Sequence, residues 1–583
     1  MQSTSGIIWR RSSAGTGSEI MKQYNFRRMS FYQIWIRSFS DGNGDGIGDL
    51  YGVYDKLDYI ASLGVDGIWF SPIYPSPNAD YGYDISDYRN IHPDYGDLEQ
   101  FKRVLDKAHR LGLKVLMDLV INHTSDEHPW FLESRKSRTG PYSDYYIWRD
   151  PRWDGEKRLP PNNWFSQFEG LAWEYCPERE QYYLHVFAKK QPDLNMDNPK
   201  VREEVKGIMR FWLEMGVDGF REDVITYISK HPRLPDGIPF LPAINGLPFY
   251  KDGPNLVTYL REFRAVALEY GAIELGEAPM TPVKTALRYL CGPDRVLDMM
   301  IQFDTMMADC FFTEYVHHPF SLVKFKRACD KWQYALEGRA WNALYLENHD
   351  HPRSISRYGS EKFWRESGTM LAACYLLQRG PPLIYQGQEL GMTNIRLPSI
   401  DHYEDVASIN AYHTFLTHQS EEKRLRRIHR SSRDSARTPV QWNGERNAGF
   451  SEAEPWFYVN QNYPDINAEA EERDPDSILN FYRKCLRLRK SSETLLSGRY
   501  RDLLPLHPRL FLYERALRGE RILVACAFSE KPVPLRLPRG YDIARGELLL
   551  GNYPDAGDPA LLRPYEVRVI RFAAGFSNTG TDI

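Results

Sequence analysis

Between residues 31 and 386 the sequence repeats one rhythm, a short apolar run followed by an amphipathic stretch. Apolar runs fall at 31–37 (FYQIWIR), 67–70 (GIWF), 113–120 (LKVLMDLV), 217–224, 272–276, 296–303, 343–347 and 382–386. Helical faces lie between them at 57–63, 101–111, 201–215 and 256–270. Strands that are apolar at successive positions, rather than at every second one, belong to a parallel sheet covered on both sides. Eight such strands interleaved with helices is the count for an α/β fold of the (β/α)8 TIM-barrel type.

The rhythm is interrupted twice. Residues 124–196 are rich in Pro, Asn, Trp and Tyr, as in PPNNWFSQFEGLAW (160–173), and lack helical period. A long excursion after the third strand reads as an inserted, irregular subdomain, and such insertions are usually functional. Toward the C-terminus the pattern changes to short β runs at 510–515, 522–528 and 567–572, which predicts a small antiparallel β domain. The expected division is a disordered extension at 1–24, a catalytic barrel at 25–123 and 197–500, the inserted subdomain at 124–196, and the C-terminal domain at 501–583.

Hydrophobic residues make up 42 % of the chain and charged residues 26 %, which leaves ample apolar mass for a core. A net charge of −4 gives no basic footprint for nucleic acid or an anionic membrane. No apolar run approaches the ~18 residues of a membrane span, and the first twenty residues lack the apolar centre of a secretory signal. The seven cysteines stand singly, with no CxxC pair, which suits reduced thiols better than a disulfide framework or a zinc site. The expectation is a cytoplasmic protein, a monomer or weak oligomer, that acts on a small molecule.

Barrel enzymes carry their reactive groups at the C-terminal ends of the strands. Acids stand there at Asp118, with His123 close behind, at Asp223, at Glu277 and at Asp350 beside His349. One Asp at a strand end is commonly a helix cap, but four such acids converging on one pit are not explained that way. Two opposed carboxylates are what glycoside hydrolysis needs: one attacks the anomeric carbon, the other protonates the leaving oxygen and then activates water. Arg221 lies two residues before Asp223, so on a strand both side chains share a face. A cation there would hold Asp223 ionised and oriented, and burial would raise the pKa of Glu277, as an acid catalyst requires.

The stretches DLVINH (118–123), GFREDVI (219–225), ELGEAP (274–279) and LENHD (346–350) resemble the four ordered motifs of glycoside hydrolase family 13, the α-amylase superfamily. QPDLN (191–195), YQGQELGM (385–392) and SARTPVQW (435–442) resemble its oligo-1,6-glucosidase and α-glucosidase branch. The resemblance implies Asp223 as nucleophile, Glu277 as acid/base and Asp350 as the carboxylate that grips hydroxyls of the distorted sugar. It further implies that His123, Arg221 and His349 bind the non-reducing glucose, that Tyr83 stacks on it, and that Phe168 contributes to substrate binding. Asp80 and Arg437 match positions expected to pair and close the pocket behind that glucose. A closed pocket makes an exo-acting, retaining α-glucosidase of short α-gluco-oligosaccharides such as isomaltose.

In this branch a Val directly after the nucleophile accompanies α-1,6 preference, and Thr or Ala accompanies α-1,4; here it is Val224. Val is also simply a favoured strand residue. Four positions depart from the usual pattern. Glu222 replaces an apolar residue and should face the helix layer, where it needs a cationic or hydrogen-bonding partner. Glu347 and His351 stand where Asn and Gln are common, and flank Asp350. Gln388 stands where Glu is common.

The stretch 41–49, DGNGDGIGD, places oxygen side chains at positions 1, 3, 5 and 9 and Gly at 6, like the first part of an EF-hand loop. Position 12 is Gly52, so the bidentate acid of an EF-hand is missing. The resemblance implies a structural Ca²⁺ or Mg²⁺ held by Asp41, Asn43, Asp45, the Ile47 carbonyl and Asp49, with no cofactor for catalysis. Two other readings share the scaffold. Sucrose isomerases resemble this chain but carry an Arg/Asp-rich loop after the seventh strand, whereas here that region reads HPRSISRYGS (351–360). Non-catalytic transporter heavy chains use a similar barrel without working catalysis, but they need a membrane anchor, and this sequence carries all three carboxylates.

Overall fold

The computed structural model describes residues 25–168, 170–239, 244–311 and 313–573. The extension expected at 1–24 lies outside them. Seven parallel staves are named in chain order β1 (Phe31–Ile34), β2 (Gly67–Phe70), β3 (Lys114–Leu119), β4 (Gly219–Glu222), β5 (Ile273–Glu277), β6 (Met299–Ile301) and, after a gap in the seventh place, β8 (Leu383–Tyr385). They hydrogen-bond in the order β6-β5-β4-β3-β2-β1-β8, every pair parallel. The seventh stave, β7, is the extended segment 342–344, joined to its neighbours only by the bridges Met300↔Asn342 and Leu344↔Pro382. The Ala343 N–H donates to the Met300 carbonyl at 3.0 Å and the Leu383 N–H to the Leu344 carbonyl at 2.7 Å, which closes the barrel.

The staves are shorter than the apolar runs predict. The 31–37 run ends as a strand at Ile34 and continues as a 3-10 turn over Ile36–Ser38, and the 217–224 run is a strand only over Gly219–Glu222. Apolar character reports burial, and burial extends past the last ladder hydrogen bond into the turns that carry the site. All residues of β1, β2, β4, β5, β6 and β8 are buried, as a sheet covered on both faces requires.

Local chemistry sets the surrounding helices. In α1 (Leu50–Leu63) the Asp49 side chain accepts from the Gly52 N–H at 2.7 Å, and Gly64 ends the helix at φ 89°. In α2 (Leu98–Arg110) Asp97 caps in the same way, accepting from Gln100. Helix α3 (Pro199–Met215) starts on Asn198 with Pro at its first position and stops at Gly216, φ 112°. These are N-terminal oxygen caps and left-handed C-terminal glycines. Gly219, which opens β4, has no room for a side chain: a Cβ there would meet the Ile273 carbonyl oxygen at 2.2 Å.

The excursion at 124–196 is more ordered than its composition suggests. It contains a three-stranded antiparallel sheet of Trp148–Arg149, Gln181–Leu184 and Trp173–Cys176, and a hairpin of Arg152–Asp154 with Lys157–Leu159. Its aromatic residues pack into a small core around Trp164, Trp173, Tyr227 and Tyr250. The part of the chain after β8 also folds into elements that the strand rhythm does not announce. Helices Val406–His413 and Glu421–Ser431 enclose a separate core of Ile400, Tyr412, Leu416 and Ile428 beside the barrel mouth. At the C-terminus, β9 (Arg499–Asp502), β10 (Leu510–Leu517), β11 (Glu520–Ala527), β12 (Glu547–Gly551) and β13 (Val567–Phe572) form one antiparallel sheet in the order β9-β10-β11-β13-β12. It is tied to helix α4 (Trp364–Leu376) by the Tyr513 hydroxyl, which donates to the Cys374 carbonyl at 3.1 Å. No helix among the described residues is long and apolar enough to cross a membrane.

Candidate active site

Asp118 lies in β3, Asp223 directly follows β4 and Glu277 ends β5, so three neighbouring staves deliver three carboxylates to one end of the barrel. They meet on Arg221. Its Nη1 donates to Asp118 at 2.8 and 2.9 Å and to Asp223 at 2.6 Å, while its Nη2 pairs with Glu277. Arg221 and Asp118 have fully buried side chains, while Asp223 and Glu277 reach the cavity surface. Burial pushes the carboxyl of Asp118 up to about 7 against the opposing pull of Arg221. It also raises Asp223 and Glu277, again with Arg221 pulling the other way and with mutual repulsion adding to the rise. Three carboxylates on one buried guanidinium titrate as a group, so their protons belong to the cluster rather than to one side chain.

Asp350, after β7, has the opposite setting. Its carboxyl is held well below the usual range: His349, Arg433 and Arg437 outweigh the cost of burial. His349 Nε2 lies 3.0 Å from Asp350, and Arg433 and Arg437 donate to the same Asp350 oxygen at 3.2 and 3.4 Å. Gln33 reaches His349 Nδ1 at 2.7 Å, which assigns the donor hydrogen to Nε2. Burial lowers His349 to about 4, so the ring is a neutral donor at ordinary pH. The Tyr83 ring stacks on it, centroids 5.2 Å apart, and its hydroxyl lies 2.6 Å from His349 Nε2 and donates to Asp118 at 3.2 Å. One hydrogen-bonded chain therefore runs from Asp350 to Arg221.

These groups floor a cavity of about 410 Å³. Asp80, Tyr83, His123, Phe168, Asp223, Val224, Glu277 and Asp350 all line it. Arg221, His349 and Arg437 do not; they lie beneath, each holding a carboxylate that does. The expected pairing of Asp80 with Arg437 takes a different form. Asp80 binds Arg433 at 3.2 Å, and Arg437 reaches Asp350 and the His349 carbonyl instead. Arg433, anchored on Asp405 at 2.7 Å, was not singled out by the sequence, nor was Gln191, which donates to Asp80 at 3.2 Å. The QPDLN motif carries Gln191 and was a signal for it. Arg433 had none, because it is one of six arginines between 424 and 437.

Val224 is not a strand residue. It adopts φ 33° and ψ 41°, a left-handed conformation that β-branched side chains avoid, and its N–H donates to Glu277 at 3.0 Å. Strand propensity therefore does not account for Val at this position. Of the residues flanking Asp350, only His351 lines the cavity. Glu347 is buried against Arg353 at 3.1 Å and accepts from the Ser354 N–H at 2.5 Å, and Gln388 accepts from the Tyr385 N–H at 3.1 Å. Glu222 faces outward as expected, but meets no cation within hydrogen-bond length; its neighbours are the Glu274–Arg264–Asp298 cluster of the helix layer.

In the 41–49 loop the side-chain oxygens turn inward. Asp41 accepts from Gly44 at 2.7 Å and Gly46 at 2.8 Å, Asp45 accepts from Ile47 at 2.8 Å, and Asp49 caps α1. Their donor set is all oxygen, the kind a hard cation takes. Burial raises the Asp49 carboxyl, and Asp41 repels it, so a cation would relieve both. The one group of His, Cys, Asp or Glu ligand atoms within 4.8 Å of one another among the described residues is elsewhere, at Asp309, Cys310 and His317. Arg357 and Arg430 already bind that Asp309, at 2.6 and 3.1 Å.

Residues 33–498 match the family model described as the catalytic domain of alpha amylase. The chain is 45 % identical over 562 residues to an oligo-1,6-glucosidase of Parageobacillus thermoglucosidasius, covering 94 % of this chain and 99 % of that protein. It is 41 % identical over 557 residues to a trehalose-6-phosphate hydrolase of Bacillus subtilis, with 94 % and 98 % covered. Among solved structures it is similar to the trehalulose synthase of Pseudomonas mesoacidophila, with a TM-score of 0.88, 39 % identity, and 94 % and 99 % of the two chains covered.

Proposed function

The chain belongs to the α-amylase family of glycoside hydrolases, and from that premise we propose that it is an exo-acting, retaining α-glucosidase that releases terminal glucose from short α-gluco-oligosaccharides, α-1,6 bonds foremost. The observation that carries this reading is the single buried guanidinium of Arg221 shared by Asp223 and Glu277. Sharing it holds the two acids near each other on one side of the pit, and a retaining mechanism expects their carboxyl groups ~5–5.5 Å apart. Asp223 attacks the anomeric carbon as Glu277 protonates the leaving oxygen. Water then enters, gives its proton to Glu277 and displaces Asp223. Asp350, kept ionised, holds hydroxyls of the distorted sugar, and the Asp80–Arg433 pair closes the inner wall.

Several finer readings go with it. The catalytic barrel, 25–123 and 197–500, is interrupted by an inserted unit at 124–196 and followed by a C-terminal β unit from 501. Residues 41–49 would hold Ca²⁺ or Mg²⁺ through Asp41, Asn43, Asp45, the Ile47 carbonyl and Asp49, bracing the first barrel loop. The seven free cysteines favour a cytoplasmic location, and we read the protein as a monomer or weak oligomer. The oligo-1,6-glucosidase relatives favour hydrolysis over sucrose isomerisation. The deciding experiment follows product anomers by NMR on isomaltose. β-Glucose released first would refute retention, and near-normal activity in Asp223→Ala or Glu277→Gln would refute the assignment of roles.

A further inference from the structure

The outer half of the cavity differs from its floor. Phe303, Met307, Tyr315, Phe415 and Met280 give it apolar walls, broad enough for the face of a sugar or an aromatic ring. Glu314 projects among them, on the strand Thr313–His317 that follows β6, with its side chain 34 % accessible. Its nearest charged or titratable contact is His351 Nδ1, at 3.6 Å. That ring is 1 % exposed, neither of its nitrogens has a hydrogen-bond partner, and burial lowers it to about 3, so it brings no positive charge to Glu314. The one Lys or Arg among the described lining residues is Arg433, already bound to Asp80, Asp350 and Asp405. Burial pushes the Glu314 carboxyl up to about 7, against the pull of Arg357 and Arg433. Above that pH the leaving-group side of the cavity presents a carboxylate and a neutral imidazole, and the described lining residues add no Lys or Arg there beyond Arg433.

We propose that Glu314, backed by His351, selects the leaving group by charge: neutral groups that donate hydrogen bonds and cationic groups are accepted, and anionic groups, including phosphorylated sugars, are rejected. The inference rests on the glucosidase reading, because it is that reading which makes the outer half of the cavity the leaving-group site. An acid partly out of water interacts with a charge a few ångströms away strongly enough to change binding by about tenfold or more. Anionic leaving groups would need a free Lys or Arg at this wall, and Glu314 occupies it.

Three aryl α-glucosides that differ only at the para position test this: nitro, carboxylate and aminomethyl. At about pH 8, above the value of about 7 to which burial pushes Glu314, wild-type kcat/KM should favour the aminomethyl over the carboxylate compound by at least about tenfold. Glu314→Gln should bring that ratio close to one, and Glu314→Lys should invert it. The selection is overturned if the ratio is near one in the wild type or unchanged in Glu314→Gln. If the nitro compound is not hydrolysed at all, the glucosidase reading fails by itself. Calorimetric Kd values for the three probes with wild type and Glu314→Gln then decide the charge selection, and equal affinities in both proteins would overturn it.

Discussion

Arg433 donates to Asp80 at 3.2 Å and, from the same guanidinium, to Asp350 at 3.2 Å and Asp405 at 2.7 Å. One side chain thereby joins the inner wall of the pocket to the carboxylate that would hold the sugar. The Arg433 guanidinium also lies over the Phe168 ring, 5.0 Å from its centroid, which brings in the inserted segment.

Removing one partner of a buried ion pair leaves the other charge uncompensated, at a cost of about 3–5 kcal/mol. Arg433→Ala should lower the thermal midpoint and reduce kcat/KM on aryl α-glucosides by about a hundredfold or more. Arg433→Lys should recover only part of the activity, because an ammonium cannot span three carboxylates in a fixed plane. Activity close to wild type in Arg433→Ala would remove the pair from the pocket's architecture.

Val224 retains a β-branched side chain in a left-handed turn beside the nucleophile, where strain of about 1–3 kcal/mol is expected. Val224→Thr keeps the shape and adds a hydroxyl to the cavity wall. It should raise the ratio of maltose to isomaltose specificity constants several-fold while changing stability by only about 1 kcal/mol. An unchanged ratio would separate this residue from linkage preference.

Glu222 and Glu274 are buried together, 0 % exposed, with Arg264 and Asp298 as neighbours. Burial raises both, Glu274 to about 8 from an ordinary value of 4.5, so in the folded protein they hold protons that the unfolded chain releases near pH 4.5. The sign follows from that difference. The Glu274 contribution to stability is full below about pH 4.5 and is lost as pH rises toward about 8, by about 1.4 kcal/mol per pH unit. The thermal midpoint should therefore fall between those pH values, and Glu222→Gln, which cannot ionise, should flatten the fall. Parallel pH profiles for the two proteins would place the retained proton elsewhere.

Chelation with EDTA should lower the thermal midpoint of the protein by a few degrees, with added Ca²⁺ restoring it, and Asp45→Ala should abolish both responses. Turnover of aryl α-glucosides below the transition should hardly change, since the loop contacts no catalytic acid. A midpoint insensitive to EDTA and Ca²⁺ would leave 41–49 as a turn held by its own backbone hydrogen bonds.

The sequence by itself determined the barrel, its excursions and the acids at the strand ends, because these depend on local period and short motifs. Apolar runs mark burial wherever the chain passes through a two-sided sheet; Asp118 and Asp223 stand near the ends of such runs and Glu277 directly follows one. It overran strand ends for the same reason: burial continues into the turns. What only the tertiary structure decided is which distant charge meets which. Six arginines crowd 424–437, and only Arg437 lies in a recognisable motif; the role of Arg433 follows from its contacts with Asp80, Asp350 and Asp405. The seventh stave, expected at 343–347, is held in the barrel at 342–344 by single bridges to each neighbour, and Glu347 is the partner of Arg353 rather than a lining residue. Ion pairs between residues hundreds of positions apart, such as Asp80–Arg433, are set by packing, and packing is not written at either position alone.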